Sequence, residues 1–303
     1  MSAQAERRRV AVTGLGALSP AGAGVGAYRE WQQTRGQRPS GERVPEFRPA
    51  DYVRSPKLLR SMHRTFQLVA AAAVLAMRHA GLPTADSLAG AGLAAERAGI
   101  ATALADISPL TTDLLQVLAE VTSNQTGDQT KQFTWAQFAE VSLHKLHPFR
   151  RLTLLANMAA AHTSLLFGLQ GPSFTFTSGA GSGGQTLTQA YWTITHNRAD
   201  LMLCQTADSP EQSFSAQPAS ELAGALVVES WESATARRAP ILAELLAPHS
   251  NSAGEEYFSL RQPADGSPVC GLMAALLRVD DLKGTATPAL ALTDLLGIAS
   301  AAA

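Results

Sequence analysis

The sequence predicts an α/β fold with buried strands, on three observations. Short apolar runs bounded by glycine or turn residues recur along the chain. Stretches of helical length separate them, which is the pattern of strands alternating with helices. The composition, at 46% hydrophobic residues, supports a sizeable core and lies far from that of a disordered chain.

The elements follow in order. Residues 10–13 (VAVT) form an apolar run ending in glycines, predicting a buried strand and then a tight turn. Residues 36–60 are rich in Pro, Arg and Ser and predict a loop. Residues 66–80 predict a helix, stopped by Gly81 and Pro83. A strand is expected over 99–103, a helix over 109–121 and a polar segment over 123–132. Residues 151–167 predict a helix ended by Gly168, Gly171 and Pro172, followed by a strand over 173–177. A glycine-rich turn over 179–184 leads into a helix over 185–196, and strands follow at 200–205 and 224–229. From about residue 251 Gly, Glu, Ser and Pro interrupt the apolar runs. This divides the chain into a domain over 1–250 and a short extension over 251–303, with a frayed end.

Charge and cysteine usage exclude several function classes. A formal net charge of −1 supplies no global field for nucleic acid or an anionic membrane. The basic clusters Arg7, Arg8, Arg9 and Arg54, Lys57, Arg60, Arg64 are expected to be solvated faces. Cys204 and Cys270 sit in apolar surroundings and read as small buried hydrophobes, not as a disulfide or a metal-ligand set. The N-terminus is polar, with no apolar signal core, and the longest apolar run, 68–77, is far short of the roughly 20 residues a bilayer requires. A soluble, cytoplasmic protein is expected.

Three motifs invite a chemical reading. The first is Gly14-Leu-Gly16 after a strand, as in dinucleotide sites. Ala17, Leu18 and Ser19 follow in place of the third glycine, and Gln32, Gln33 and Thr34 offer no acid for a ribose, so the signal is weak. The second is Ala180-Gly-Ser182-Gly-Gly184 between a strand and a helix, close to a nucleophile elbow with Ser182 exposed on the turn. Asp208 and His249 follow in the order of a hydrolase triad. That serine-hydrolase alternative lacks the first glycine and a recognisable oxyanion loop. The third is His162 on an alanine-rich helix, where a packed structural histidine is expected.

Read with its flanks, the second motif resembles the centre of the beta-ketoacyl synthases of the thiolase-like superfamily. Pro148-Phe149, NMAAAH at 157–162, FGLQGPS at 167–173, Gln185, Ala190-Tyr191 and ADLM at 199–202 occur in the family's order. The opening 10–20 (VAVTGLGALSP) and the stretch 224–229 (GALVVE), with Ala234, Ala236, Arg237, Ala239 and 241–245, are similar too. The resemblance covers about residues 8–247. It implies a thiolase-like (ketosynthase) fold, with the N-terminal half retained and the C-terminal half absent or strongly shortened.

The family's nucleophilic cysteine aligns with Ala180, whose methyl group cannot be acylated. The family also uses two histidines in its second half. Beyond Ala180 this chain has only His196 and His249, in neither motif, and the family's GEGAG turn stands as SELAG at 220–224. The resemblance therefore implies a chain length factor, a non-catalytic subunit that pairs with an active ketosynthase in type II polyketide or polyene assembly. The acyl chain would reach the partner subunit on the phosphopantetheine of an acyl carrier protein, and no cofactor or metal of its own is expected. A malonyl decarboxylase of ketosynthase type is a further alternative, weakened by the missing histidines. The resemblance places Leu110, Thr111, Thr112, Leu114, Leu115 and Phe149 along the acyl tunnel. It places Phe174, Phe176, Gln185, Tyr191, Met158 and His162 at the dimer interface.

Overall fold

A computed structural model describes residues 8–34, 37–39, 41–83, 88–104, 112–123, 133–146, 155–177, 182–209, 220–247, 249–250, 256–257 and 260–261. The chain opens with β1 (Val10–Ser19), a short β2 (Gly22–Ala23) and α1 (Val25–Thr34). A single helical turn, α2 (Pro56–Leu59), precedes α3 (Arg64–His79) and β3 (Ala98–Leu104). Helices α4 (Thr112–Ser123), α5 (Trp135–Lys145) and α6 (Asn157–Phe167) come next, then β4 (Ser173–Phe176), α7 (Ser182–Thr195) and β5 (Leu201–Asp208). The last elements are β6 (Leu222–Ser230), α8 (Trp231–Ala236), β7 (Ala243–Leu245), β8 (His249–Ser250), β9 (Glu256–Tyr257) and β10 (Leu260–Arg261).

Eight strands form one mixed sheet in the order β10-β7-β1-β6-β5-β3-β4, with β2 paired to β1, and β8 and β9 form a separate two-stranded sheet. Strands β5, β3 and β4 run parallel, while β5-β6, β6-β1, β1-β7 and β7-β10 are antiparallel. Strands β1, β3, β5 and β6 are buried along their whole lengths, as near-continuous apolar runs require when helices cover both faces. Alternate residues of β5 point to opposite layers. Leu201, Leu203 and Ala207 join the core under α3 and α6, while Met202 and Cys204 join the core under α1 and α7.

The sequence predicted a tight turn at Gly14 and Gly16; β1 instead runs straight through both. Their role is close approach. A Cβ built on Gly16 would lie 2.0 Å from the carbonyl oxygen of Ala72, and one on Gly14 would lie 2.3 Å from that of Ala76. Helix α3 meets the strand with Ala70, Ala71, Ala72 and Ala73, all fully buried, so small side chains on the helix face missing ones on the strand. The register of β1 against β6 also shifts between Val12 and Gly14. A phosphate cradle at this glycine pair is thereby excluded, because the backbone of α3 occupies its space.

The region expected to be loop over 36–60 contains the short helices at Pro49–Asp51 and Pro56–Leu59. Helix α5 falls beyond the polar segment 123–132, where the sequence reading assigned no element. Thr134 caps it by accepting from the Gln137 amide at 3.3 Å. It pairs with α4 and leaves Trp135 76% exposed. Past residue 251, Leu260 and Arg261 of β10 pair with Leu245 and Glu244 at the edge of the main sheet.

Several basic residues expected on solvated faces are instead held in ion pairs. Arg8 and Arg97 share Asp200, at 2.8 and 2.5 Å, and both bond the Asn197 carboxamide. The Arg97 guanidinium, followed by that of Arg8, holds the Asp200 carboxyl below its ordinary range against the opposing effect of burial. Arg9 grips Glu244, and Arg64 grips the fully buried Glu221 through two bonds of 2.9 and 2.8 Å. Arg54, Lys57 and Arg60 are exposed, as expected.

Candidate functional site

The parallel strands β3, β4 and β5 all point their carboxyl ends toward the segment that leads into α7. In a parallel α/β arrangement that is where a reacting group is presented. Ala180 stands in this segment, at a position outside the described residues, directly before the first turn of α7. Helix α7 runs back over β3 and β5 with Leu187, Ala190 and Ile194 buried.

Ser182, expected on an exposed turn, is the first residue of α7 and is 0% exposed. The helix begins at Ser182, inside the glycine-rich turn expected over 179–184, and Ser182 and Gly183 of its first turn are both buried. Asp208 closes β5 as a buried residue. The third member of the supposed triad, His249, lies in β8 with its side chain outside the described residues. An acyl acceptor requires an approachable hydroxyl, so the geometry gives the hydrolase reading no support.

Between β5, β3 and α6 lies a polar layer the sequence reading did not single out. Gln205 on β5 is fully buried; its amide donates to Thr102 Oγ1 at 2.9 Å and reaches the Ala159 carbonyl at 3.5 Å. It ties β5, β3 and α6 together. A glutamine inside a strand whose neighbours are Cys204 and Thr206 carries no periodic signal, and so it was missed. Cys204 donates to the Thr186 carbonyl at 3.6 Å, and burial pushes its thiol far above its ordinary range. It is the small buried hydrophobe expected, not a reactive thiol. Cys270 lies outside the described residues. Among the described residues no group of three His, Cys, Asp or Glu side chains could hold a metal.

The residues expected at an interface fall into two sets. Phe174 and Phe176 are half-buried on β4, which among the described residues pairs with β3 alone and is there the edge of the sheet. Met158 packs half-buried against the α3 core and Gln185 is half-buried near the start of α7. Tyr191 and His162 are buried within the chain's own core. His162 Nε2 lies 3.0 Å from Ser61 Oγ. The sequence reading missed the exposed leucines of this region. Leu165 on α6 is 73% exposed, and Leu155 just before that helix is half exposed.

Of the residues expected along a tunnel, Leu110, Thr111 and Phe149 lie outside the described residues. Thr112 opens α4, Leu114 is half-buried and Leu115 is exposed.

Comparison with known proteins accounts for this architecture. The model of the beta-ketoacyl synthase N-terminal domain matches residues 7–227. A polyketide beta-ketoacyl synthase 1 of Streptomyces halstedii is 31% identical over 221 residues, covering 67% of this chain and 47% of the relative. Nodulation protein E of Rhizobium leguminosarum bv. trifolii is 28% identical over 278 residues, covering 78% of this chain and 62% of the relative. The chain thus spans about half to two-thirds of the length of these relatives. Among solved structures, the ishigamide ketosynthase/chain length factor superposes with a TM-score of 0.60 at 22% identity, over 96% of this chain and 78% of that one. A type II polyketide synthase ketosynthase solved with its acyl carrier protein and a hexaketide gives 0.62 at 21%, over 80% and 68%. At such identities the structures speak for the fold, which is the thiolase-like ketosynthase fold, and the match over residues 7–227 places the chain in the beta-ketoacyl synthase family.

Proposed function

We propose that this chain is a non-catalytic, chain length factor-like subunit that pairs with an active ketosynthase in polyketide biosynthesis. The observation that carries the reading is Ala180. It stands between β4 and α7, where the family resemblance puts the nucleophilic cysteine at a helix N-terminus. A thiolate there would gain from the helix dipole and from oxyanion donors; a methyl group can neither ionise nor accept an acyl chain. The surface supports pairing. The open edge of β4 with its half-buried Phe174 and Phe176, and the exposed Leu155 and Leu165 around α6, form an apolar region of the kind that marks interfaces. In this reading the acyl carrier protein delivers its chain to the partner's cysteine. Residues at the start of α4, with Leu110, Thr111 and Phe149, line the far end of the tunnel.

Co-expressed with an intact ketosynthase from the same biosynthetic set, the chain is expected to purify as a stoichiometric complex. Permanent pairs of this kind often bury more than about 2,000 Å². Leu165→Glu probes the surface without touching the core, since Leu165 already faces solvent. It is expected to weaken the complex roughly 30-fold or more, the loss of one strong apolar anchor, as read by isothermal titration or sedimentation. A well-behaved monomer with no affinity for any ketosynthase would refute the reading.

A further inference from the structure

Two histidines on different elements meet across one phenyl ring beside α6. The His63 ring lies 3.8 Å from that of Phe66, centre to centre, and Phe66 lies 5.8 Å from the ring of His162. His63 is the N-cap of α3, its Nδ1 accepting from the Thr65 amide at 3.2 Å. Ser61 Oγ donates its one proton to the Leu58 carbonyl at 2.8 Å, so the contact with His162 is a bond donated by the ring Nε2. His162 Nδ1 is then the bare nitrogen, and it is buried with no partner among the described residues. The α2–α3 junction thus meets α6 at His162, through Ser61 and Phe66, while His63 caps α3 and backs the Phe66 ring from the other side.

We propose that this cluster is an acid-labile fastener, holding the α2–α3 junction on α6 while both rings are neutral and loosening it when they take up protons. The geometry opposes each protonation in its own way. A proton on His63 Nδ1 would face the Thr65 N–H it now accepts from and put a cation at the N-terminus of α3, against the helix dipole. A proton on His162 Nδ1 would create a buried donor with no acceptor. Among the described residues the surrounding charges offer no relief. The α2 turn and the residue after it carry exposed Lys57 and Arg60, α3 contributes Arg64, and α6 carries no charged side chain. The nearby carboxylate, Glu221, is committed to Arg64 and to the Val44 amide.

Burial, with the His162 charge second, lowers the His63 pKa to about 4, and burial lowers that of His162. The sign follows from linkage. An unfolded or opened segment titrates its histidines near the ordinary value of about 6.5. Both folded values lie below it, so the fastening is at full strength above that pH and is lost progressively as pH falls through the window from about 6.5 to about 4. For His63 alone the closed form is expected to lose about 20-fold against the open form between pH 7 and pH 5.

The test is amide hydrogen exchange of the full chain at pH 7 and pH 5, corrected for the intrinsic rate. His63→Asn keeps a capping acceptor and His162→Gln keeps a donor toward Ser61, and neither titrates. In the wild type, protection over 55–70 and 155–167 is expected to fall by about 20-fold at pH 5 while β5 and β6 hold. The double variant, or His63→Asn alone if the pair does not fold, is expected to lose most of that pH dependence. Unchanged wild-type protection at pH 5, or an equal fall in the variants, overturns the proposal. The inference stands apart from any partner subunit.

Discussion

Arg237→Ala is expected to destabilise the fold by about 3–5 kcal/mol, the cost of stranding a buried charge. The partner is Glu229 on β6, which is 0% exposed in the centre of the sheet. Arg237 reaches it with two bonds, 2.8 Å from Nε and 2.5 Å from Nη2, and turns its third nitrogen to the Ala80 carbonyl at the end of α3, at 2.7 Å. Thr13 on β1 also donates to the same carboxylate. One guanidinium therefore joins β6, β1 and the carboxyl end of α3. Without it, Glu229 must keep a desolvated charge or take up a proton. Urea unfolding reads the loss, and Glu229→Leu in the same background is expected to recover much of it, because an apolar pair avoids the buried charge altogether. Removing Glu232, which touches Arg8 from an exposed position, is expected to cost at most about 1 kcal/mol. A similar small cost for Arg237→Ala would show that the carboxylate is satisfied without the guanidinium.

Gly16→Ala is expected to cost about 3 kcal/mol or more, at or beyond the usual range for overpacking. The new methyl would sit 2.0 Å from the Ala72 oxygen and 2.6 Å from the Ala76 nitrogen. Both are backbone atoms of α3, so relief requires moving the helix and not a side-chain rotation. Helix α3 packs on β1, β6 and β5, and any such shift propagates through the core under it. The control is Gly26→Ala in α1, where an added Cβ meets nothing within 4 Å. There the gain in helix propensity is expected to raise stability by up to about 1 kcal/mol. Equal behaviour of the two variants in thermal unfolding would contradict the close packing of α3 on β1.

Much of this architecture was legible because its physics is local. The helix over α3 shows in its apolar run and its Gly81 and Pro83 stop, and β3, β5 and β6 show as apolar runs too short for helices. Glycine was misread where its reason is tertiary. Gly14 and Gly16 carry the local signature of a turn, yet the strand continues, since what they leave room for is a helix more than 50 residues away in sequence. Helix α5 was missed because its largest apolar side chains, Trp135 and Leu143, face solvent, and an exposed apolar helix lacks the one-sided pattern that betrays a core helix. Ser182 was placed on a free turn since glycines surround it; burial by the sheet beneath α7 is a property of packing, invisible in the motif. The ion pairs of Arg8 with Asp200 and of Arg64 with Glu221 join residues far apart in sequence, so their basic clusters looked like solvent-facing runs.

The central claim, that acyl chemistry in the complex belongs to the partner and not to Ala180, has one direct measurement. The complex is prepared with the nucleophilic cysteine of the ketosynthase subunit replaced by alanine, charged with acyl and malonyl carrier proteins, and analysed by intact mass and product formation. The account predicts no covalent acyl adduct on this chain and no condensation, and Ala180→Cys in this chain is expected to restore none, because catalytic groups that act as a unit fail together. An acyl adduct on this chain, or turnover approaching that of the native pair, would contradict it.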